Sequence, residues 1–335
     1  MENRKKEHLN LAIFSQASAS VHDDRFNYEP LLNAHPDITP KPFTFLSKTL
    51  LYPIWISSMT GDTDYAKIIN SNLAKACHEF GLGMGLGSCR ILLNSDEFIE
   101  NFDLRDIIGP DYPFYANLGI SQIEKAILDK DVSKIIRMVE RLRADGLIIH
   151  VNPIQEWLQP EGDRLILSPL QSIQDFLKLT NLRIIVKEVG QGFGPASLLE
   201  LMKLPLEAIE FGAYGGTNFA KIELQRSIPS KRQLLKPLSI IGNTAAQMIN
   251  DINSIVEHNK EIKCKQIIIS GGIRSFLDAY YLMSKSKLPS IYGQAATFLK
   301  YAIDYDQLRE FVQFQIKGLE MATAYLRIKN DLQNE

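Results

Sequence analysis

Cysteine is scarce. There are 3 in 335 residues, Cys77, Cys89 and Cys264, with no spacing that suits a disulfide framework or a zinc site. That argues against a disulfide-stapled scaffold and a cysteine metal centre, and each cysteine reads as a small buried hydrophobe of a reducing cytosol. No uninterrupted apolar run approaches the ~20 residues that span a bilayer. The start, Met1-Glu2-Asn3-Arg4-Lys5-Lys6-Glu7-His8, is charged where a signal peptide would be apolar. Neither sign of charge is in excess: 37 basic and 39 acidic residues give a net charge of −2. A nucleic-acid partner is not expected without a basic field, and an anionic small molecule would need individually placed Lys and Arg. There is no internal repeat and no low-complexity tract. The expectation is a soluble, cytoplasmic protein with neither membrane nor nucleic acid as partner.

What is present is a regular alternation. Short apolar runs at 54–58, 83–87, 114–118, 146–151, 183–188, 208–212, 266–270 and 290–292 read as strands. Amphipathic stretches at 65–80, 132–144, 170–180, 196–204, 244–259 and 276–284 read as helices. Eight strands alternating with helices predict an α/β fold, a closed (β/α)8 TIM barrel. The length is compatible with one domain over 1–335, with an irregular N-terminal arm over 1–45 and a C-terminal helix over 305–330. Residues 215–237 lack strong periodicity, and a connection of that length is expected to be a functional lid or disordered.

The chemistry gathers where the strands stop. Ile148-Ile149-His150-Val151-Asn152-Pro153-Ile154-Gln155-Glu156 breaks from an apolar strand into hydrogen-bonding and charged side chains, followed by Pro160-Glu161-Gly162-Asp163-Arg164. In a parallel barrel the carboxyl end of such a strand is where the active site forms. Ser270-Gly271-Gly272-Ile273-Arg274 and Gly293-Gln294-Ala295-Ala296 follow the last two strands. Glycines there let backbone N–H groups approach a phosphate, as they do in many such barrels, although plain tight turns would read the same. Lys187 lies inside an apolar strand, so it pairs either with Glu188 or another carboxylate, or with an anionic cofactor atom. Glu156, Glu161 and Asp163 read either as a solvated capping loop or as ligands of a hard cation. His150 alone reads as a satisfied barrel histidine, and Arg4, Lys5 and Lys6 alone as a solvated charge run.

Together these motifs resemble one family, type 2 isopentenyl-diphosphate isomerase, the flavin-dependent kind. The matching pieces are Arg4-Lys5-x-Glu7-His8, Ser58-Met59-Thr60-Gly61, Met84-Gly85-Leu86-Gly87-Ser88, Ala116-Asn117-Leu118-Gly119 and His150-x-Asn152-x-x-Gln155-Glu156. Pro160-Glu161-Gly162-Asp163-Arg164, Val186-Lys187-Glu188-Val189-Gly190, Gly215-Gly216-Thr217-Asn218-Phe219 and the Ser270–Arg274 turn follow in the same order. The His-Asn-Gln-Glu segment and its Pro-Glu-Gly-Asp-Arg sequel are specific, whereas the glycine turns are shared with other flavin barrels.

The resemblance implies an FMN enzyme that interconverts isopentenyl and dimethylallyl diphosphate, with Mg2+ as metal, NADPH as flavin reductant and a homo-oligomeric assembly, tetramer or octamer. It implies FMN contacts from Ser58, Met59, Thr60, Ser88, Asn117, Lys187 and Thr217. The FMN phosphate would rest on Gly271, Gly272, Arg274, Ala295 and Ala296. The substrate diphosphate would be held by Arg4, Lys5, His8, Ser88, Arg90 and Gln155, and the catalytic group would be Gln155, His150 and Asn152. Glu156 would carry the Mg2+. Two positions depart from the family, which commonly has Gln in place of Cys89 and Pro in place of Thr297. The competing readings are an FMN-dependent barrel oxidoreductase acting on a small anionic substrate, and a flavin-binding scaffold without turnover.

Overall fold

The apolar runs form strands buried on both faces, as a parallel sheet covered by helices requires. The computed structural model describes residues 2–37, 39–58 and 64–329. Eight parallel strands close into a barrel: β1 Ile54–Ile56, β2 Gly83–Gly85, β3 Phe114–Gly119, β4 Gly146–Val151, β5 Ile184–Glu188, β6 Ala208–Glu210, β7 Ile267–Ser270 and β8 Ser290–Gln294. The closing pair is β8 with β1, in register at Gly293 and Trp55. Each strand falls within or against a run expected from sequence, and the barrel is the fold that the alternation predicted.

Inside the barrel, Trp55, Tyr115, Ile148, Ile185, Ala208, Ile268 and Ile291 fill the core together with Phe45, Leu46 and Leu50. The last three come from a hairpin, Phe43–Phe45 with Lys48–Leu50. Its two-residue turn puts Leu46 at φ 50 and Ser47 at φ 59, the left-handed pair that hairpin twist favours. The strained turn is held by full burial of Leu46 and by its N–H, which donates to Gln266 Oε1 at 2.9 Å. Lys48 and Arg105 both pair with Asp145 at 2.8 Å, just before β4 begins.

Outside the barrel, helices present apolar residues at three- and four-residue spacing. Ile135, Met138 and Val139 lie on Val132–Arg141, and Met248, Ile249 and Ile252 on Ala245–His258. The connection after β6 is neither open lid nor coil. It folds into helices Phe219–Arg226 and Pro229–Leu235 and a 3-10 turn, Lys236–Ser239. Asn218 Oδ1 caps the first by accepting the Lys221 N–H at 2.9 Å, and Pro229 opens the second.

Two compact units divide the chain: one takes the two ends, up to Pro36 and from Glu320, and the other runs from Asp37 to Leu319. Within the first, residues expected to be irregular form a helix, Glu2–Ala12, and a strand, Phe26–Tyr28, that pairs antiparallel with Leu326–Ile328. The expected C-terminal helix is Tyr305–Tyr325. Among the described residues no helix is long and apolar enough to cross a membrane. Cys77, Cys89 and Cys264 are free and buried, and burial pushes the Cys89 and Cys264 thiols up to about 12.

Candidate active site

Two cavities open beside the carboxyl ends of the strands, and both are lined by Ser58 and Lys187. The first is glycine-rich. Gly271 and Gly272, at φ 85 and 76, turn the chain after β7, and Gly293, Gln294, Ala295 and Ala296 follow β8 on the same cavity wall. A Cβ at Gly271 would collide with the backbone of Ala213, whereas one at Gly272 would find its nearest neighbour 3.4 Å away. Thr217 completes this wall. Several buried polar atoms around the cavity lack partners: Ser57 Oγ, Ser58 Oγ, Gln294 Oε1 and both carboxylate oxygens of Glu210. Buried polar groups are normally hydrogen-bonded, so such a cluster marks a surface built for a polar occupant.

The second cavity is lined by Ser88, Arg90, Asn117, His150, Asn152, Gln155 and Glu156. Register brings β3, β4 and β5 together here, with Gly119 beside His150 and His150 beside Lys187. Asn117 Nδ2 donates to the Leu86 carbonyl at 2.9 Å, so its Oδ1 faces His150 Nδ1 at 2.8 Å and accepts from it. The proton is thereby assigned to Nδ1, leaving Nε2 as an acceptor. Burial, and then the neighbouring Lys187 charge, push the imidazole down to about 3. His150 is therefore a neutral group at pH 7, not a resident cation waiting for phosphate.

After β4 the chain enters a short helix, Pro153–Leu158. Asn152 Nδ2 donates to Gln155 Oε1 at 3.1 Å and to Glu156 Oε1 at 3.0 Å, while its own Oδ1 is buried without a partner. Glu156 Oε2 accepts the Asp163 N–H at 2.9 Å. That return needs Gly162, where a Cβ would collide with the Glu156 carbonyl. The Pro-Glu-Gly-Asp-Arg segment thus folds back to fix one carboxylate, whose remaining lone pairs are free for a cation. Asp163 is spent elsewhere: its Oδ2 meets Arg90 at 3.5 Å and Gln122 Nε2 at 3.2 Å. Glu161 is exposed. Among the described residues no three His, Cys, Asp or Glu converge as a metal site.

Lys187 does not pair with Glu188. The Glu188 Oε2 instead accepts the N–H groups of Gly190 at 2.7 Å, Gln191 at 2.5 Å and Gly192 at 2.8 Å, closing the turn after β5. Arg274 is exposed, its N–H donating to Asp278, and its side chain is not part of the glycine cavity's wall. Ser88 and Asn117 line the second cavity and not the glycine cavity, whose wall includes Thr217 and Lys187. Met59 and Thr60 lie outside the described residues. Arg4, Lys5 and His8 are exposed on the helix Glu2–Ala12 of the other unit. Cys89 turns its Sγ toward the Gly87 carbonyl at 3.5 Å and is fully buried. Thr297 lines the glycine cavity.

Sequence reading singled out neither Glu210 nor Ser57, and Gln294 only as part of the run after the last strand. For Glu210 a signal was available, the same one that singled out Lys187: one charge in an apolar strand. It also overlooked Glu223, which accepts from Gln159 and from Arg226, each at 3.1 Å.

No family model matches the chain. Among solved structures, a mandelate oxidase variant carrying an FMN adduct superimposes with a TM-score of 0.58 at 12% identity, covering 91% of this chain and 89% of that one. The flavin-binding domain of baker's yeast flavocytochrome b2 gives 0.62 at 13% identity, covering 89% and 72%. At such identities the likeness is one of fold. Curated relatives named isopentenyl-diphosphate delta-isomerase are nearer in sequence. That of Rickettsia felis is 32% identical over 323 residues, covering 95% of this chain and 90% of its own length. That of Rickettsia typhi is 31% identical over 323 residues, with 95% and 91% covered. Likeness of this extent, along nearly the whole of both sequences, places the chain in the isopentenyl-diphosphate delta-isomerase family.

Proposed function

We propose that the chain is the type 2, FMN-dependent kind of this isomerase, interconverting isopentenyl and dimethylallyl diphosphate with Mg2+. The observation that carries the reading is the pair of adjoining cavities that share Lys187 and Ser58. One suits a planar cofactor ending in a phosphate and the other a small anion. Ser57 Oγ, Ser58 Oγ and Gln294 Oε1, buried and unpaired, fit the polar edge of a flavin, and the Gly271-Gly272 turn fits its phosphate. Thr217, Ala295 and Ala296 would complete that seat, and Met59, Thr60, Ser88, Asn117 and Arg274 are assigned to it by resemblance.

When bound in reduced form, FMN supplies an electron-rich ring and an exchangeable proton. The chain supplies binding, orientation and charge. Lys187 would keep the anionic edge of the ring favourable. Arg90 and Ser88 would hold the diphosphate, and Glu156 would hold Mg2+, which would neutralise its charge; Arg4, Lys5 and His8 are assigned to the diphosphate by resemblance. A single protein carboxylate is sufficient for Mg2+, which keeps waters and takes phosphate oxygens as ligands. Gln155 and Asn152 would orient the five-carbon chain. His150 would accept a hydrogen bond on Nε2, not present a permanent charge.

Moving a double bond requires one protonation and one deprotonation with no net redox change. Exclusion of water from the reacting carbons would protect the cationic character this develops. NADPH as reductant, a tetrameric or octameric assembly and a cytoplasmic location belong to the same proposal. The oxidoreductase alternative would need a substrate-side His–Arg pair or a cysteine base. His150 and Arg90 line the second cavity, but His150 Nδ1 is held by Asn117 and Arg90 meets Asp163, and the buried Cys89, its thiol raised to about 12, is no base. The test is anaerobic incubation with isopentenyl diphosphate, reduced FMN and Mg2+. Dimethylallyl diphosphate should form, and its absence, with FMN bound, would reject the reading.

A further inference from the structure

Glu210 is 0% exposed, and neither of its carboxylate oxygens has a hydrogen-bond partner. It is no stray residue of the barrel wall. Register places it beside Lys187, which in turn lies beside His150, so three titratable side chains occupy one rung across β4, β5 and β6. Residues paired in register on parallel strands point to the same side. Both Glu210 and Lys187 line the glycine-rich cavity.

Among the described residues none makes an ion pair with Lys187 within 4.0 Å. The adjacent Glu188 is committed to three backbone N–H groups. A buried ammonium and a buried carboxylate are each costly alone, and less so as neighbours of opposite sign. Neither oxygen of Glu210 is committed to another group.

We propose that Glu210 is the buried counter-charge of Lys187 and, through Lys187, a positioning residue that limits how strongly the cavity favours a reduced, anionic flavin. The inference rests on the FMN reading above. An undivided positive charge would raise the potential of the bound flavin further. A carboxylate on the next strand moderates it.

The experiment is a dye-equilibrated measurement of the midpoint potential of bound FMN in wild type, Glu210→Gln, Glu210→Asp, Lys187→Met and Lys187→Met/Glu210→Gln. Glu210→Gln keeps shape and removes charge. It should raise the reduced-to-oxidised ratio at fixed potential about tenfold, equivalent to ~30 mV for a two-electron couple. Glu210→Asp, which keeps the charge, should stay nearer wild type. In the Lys187→Met background the Gln change should have little effect. FMN-bound Glu210→Gln with an unchanged potential, or an equal shift without Lys187, would overturn the proposal. A thermal-unfolding cycle on flavin-free protein tests the pairing separately. Glu210→Gln should lower Tm by ~5 °C or more, and Lys187→Met should recover part of that loss. Additive effects would reject the counter-charge. Failure of wild type to take up FMN would instead reject the flavin reading.

Discussion

Asn117 holds His150 by its Nδ1, at 2.8 Å, and is itself held by the Leu86 carbonyl at 2.9 Å. A side chain that resemblance assigns to the flavin thus fixes the tautomer of the residue next to it. His150 is left with Nε2 as its free acceptor, in surroundings that keep it neutral.

This has a consequence for acid stability. An unfolded histidine takes a proton near pH ~6.5, whereas His150 in the folded chain resists until about 3. Below the unfolded value the unfolded state binds a proton that the folded state refuses. Stability is therefore full above ~6.5 and declines as pH falls toward about 3. At pH 5 the loss from this one group is ~2 kcal/mol. Denaturant unfolding of substrate-free protein at pH 5 and pH 7.5 should show that decline, and His150→Gln should remove much of it. Equal pH dependence in both proteins would refute a neutral His150.

Glu156→Gln should impair turnover severely while FMN content stays at the wild-type level. The carboxylate also receives the Asp163 N–H and Asn152 Nδ2, so a modest fall in Tm is expected as well. Mg2+ titration separates the roles. Retention of wild-type Mg2+ dependence would show that another residue holds the metal.

The two glycines of the phosphate turn should differ. Gly271→Ala places a methyl against the Ala213 backbone and should lower Tm sharply, with loss of FMN. At Gly272 there is room, so alanine costs only the left-handed backbone, ~1–2 kcal/mol. Thermal melts of the two variants compare these costs directly. Equal effects would mean that the turn is not arranged as described.

Arg4→Ala/Lys5→Ala should raise KM for the diphosphate and leave FMN content and folding unchanged. Charge-assisted phosphate contacts are worth ~1.5–3 kcal/mol, so kcat/KM should fall at least about tenfold. An unchanged kcat/KM would make Arg4 and Lys5 the solvated charges that their composition alone suggests.

The barrel was legible because every strand is a short apolar run buried on both faces, bounded by glycine or polar residues. Val186-Lys187-Glu188 and Ile148-Ile149-His150 announced their sites by interrupting such runs. The 215–237 connection was misread because its helices bury few residues, so periodicity is weak. Asn218 and Pro229 carried the local signals instead. The pairing of Asn117 with His150, 33 positions apart, depends on strand register, which no local pattern encodes. Glu156 and Asp163 looked alike as acidic loop residues. Only the fold separates a carboxylate facing the cavity from one tied to Arg90.

The central claim is isomerisation without net oxidation. Its most direct test is a single anaerobic reaction in D2O with reduced FMN, Mg2+ and isopentenyl diphosphate, following flavin absorbance and product together. Dimethylallyl diphosphate carrying deuterium should form over many turnovers, with the flavin spectrum still reduced at the end. Stoichiometric oxidation of the flavin, or no deuterated product from FMN-loaded protein, would contradict it.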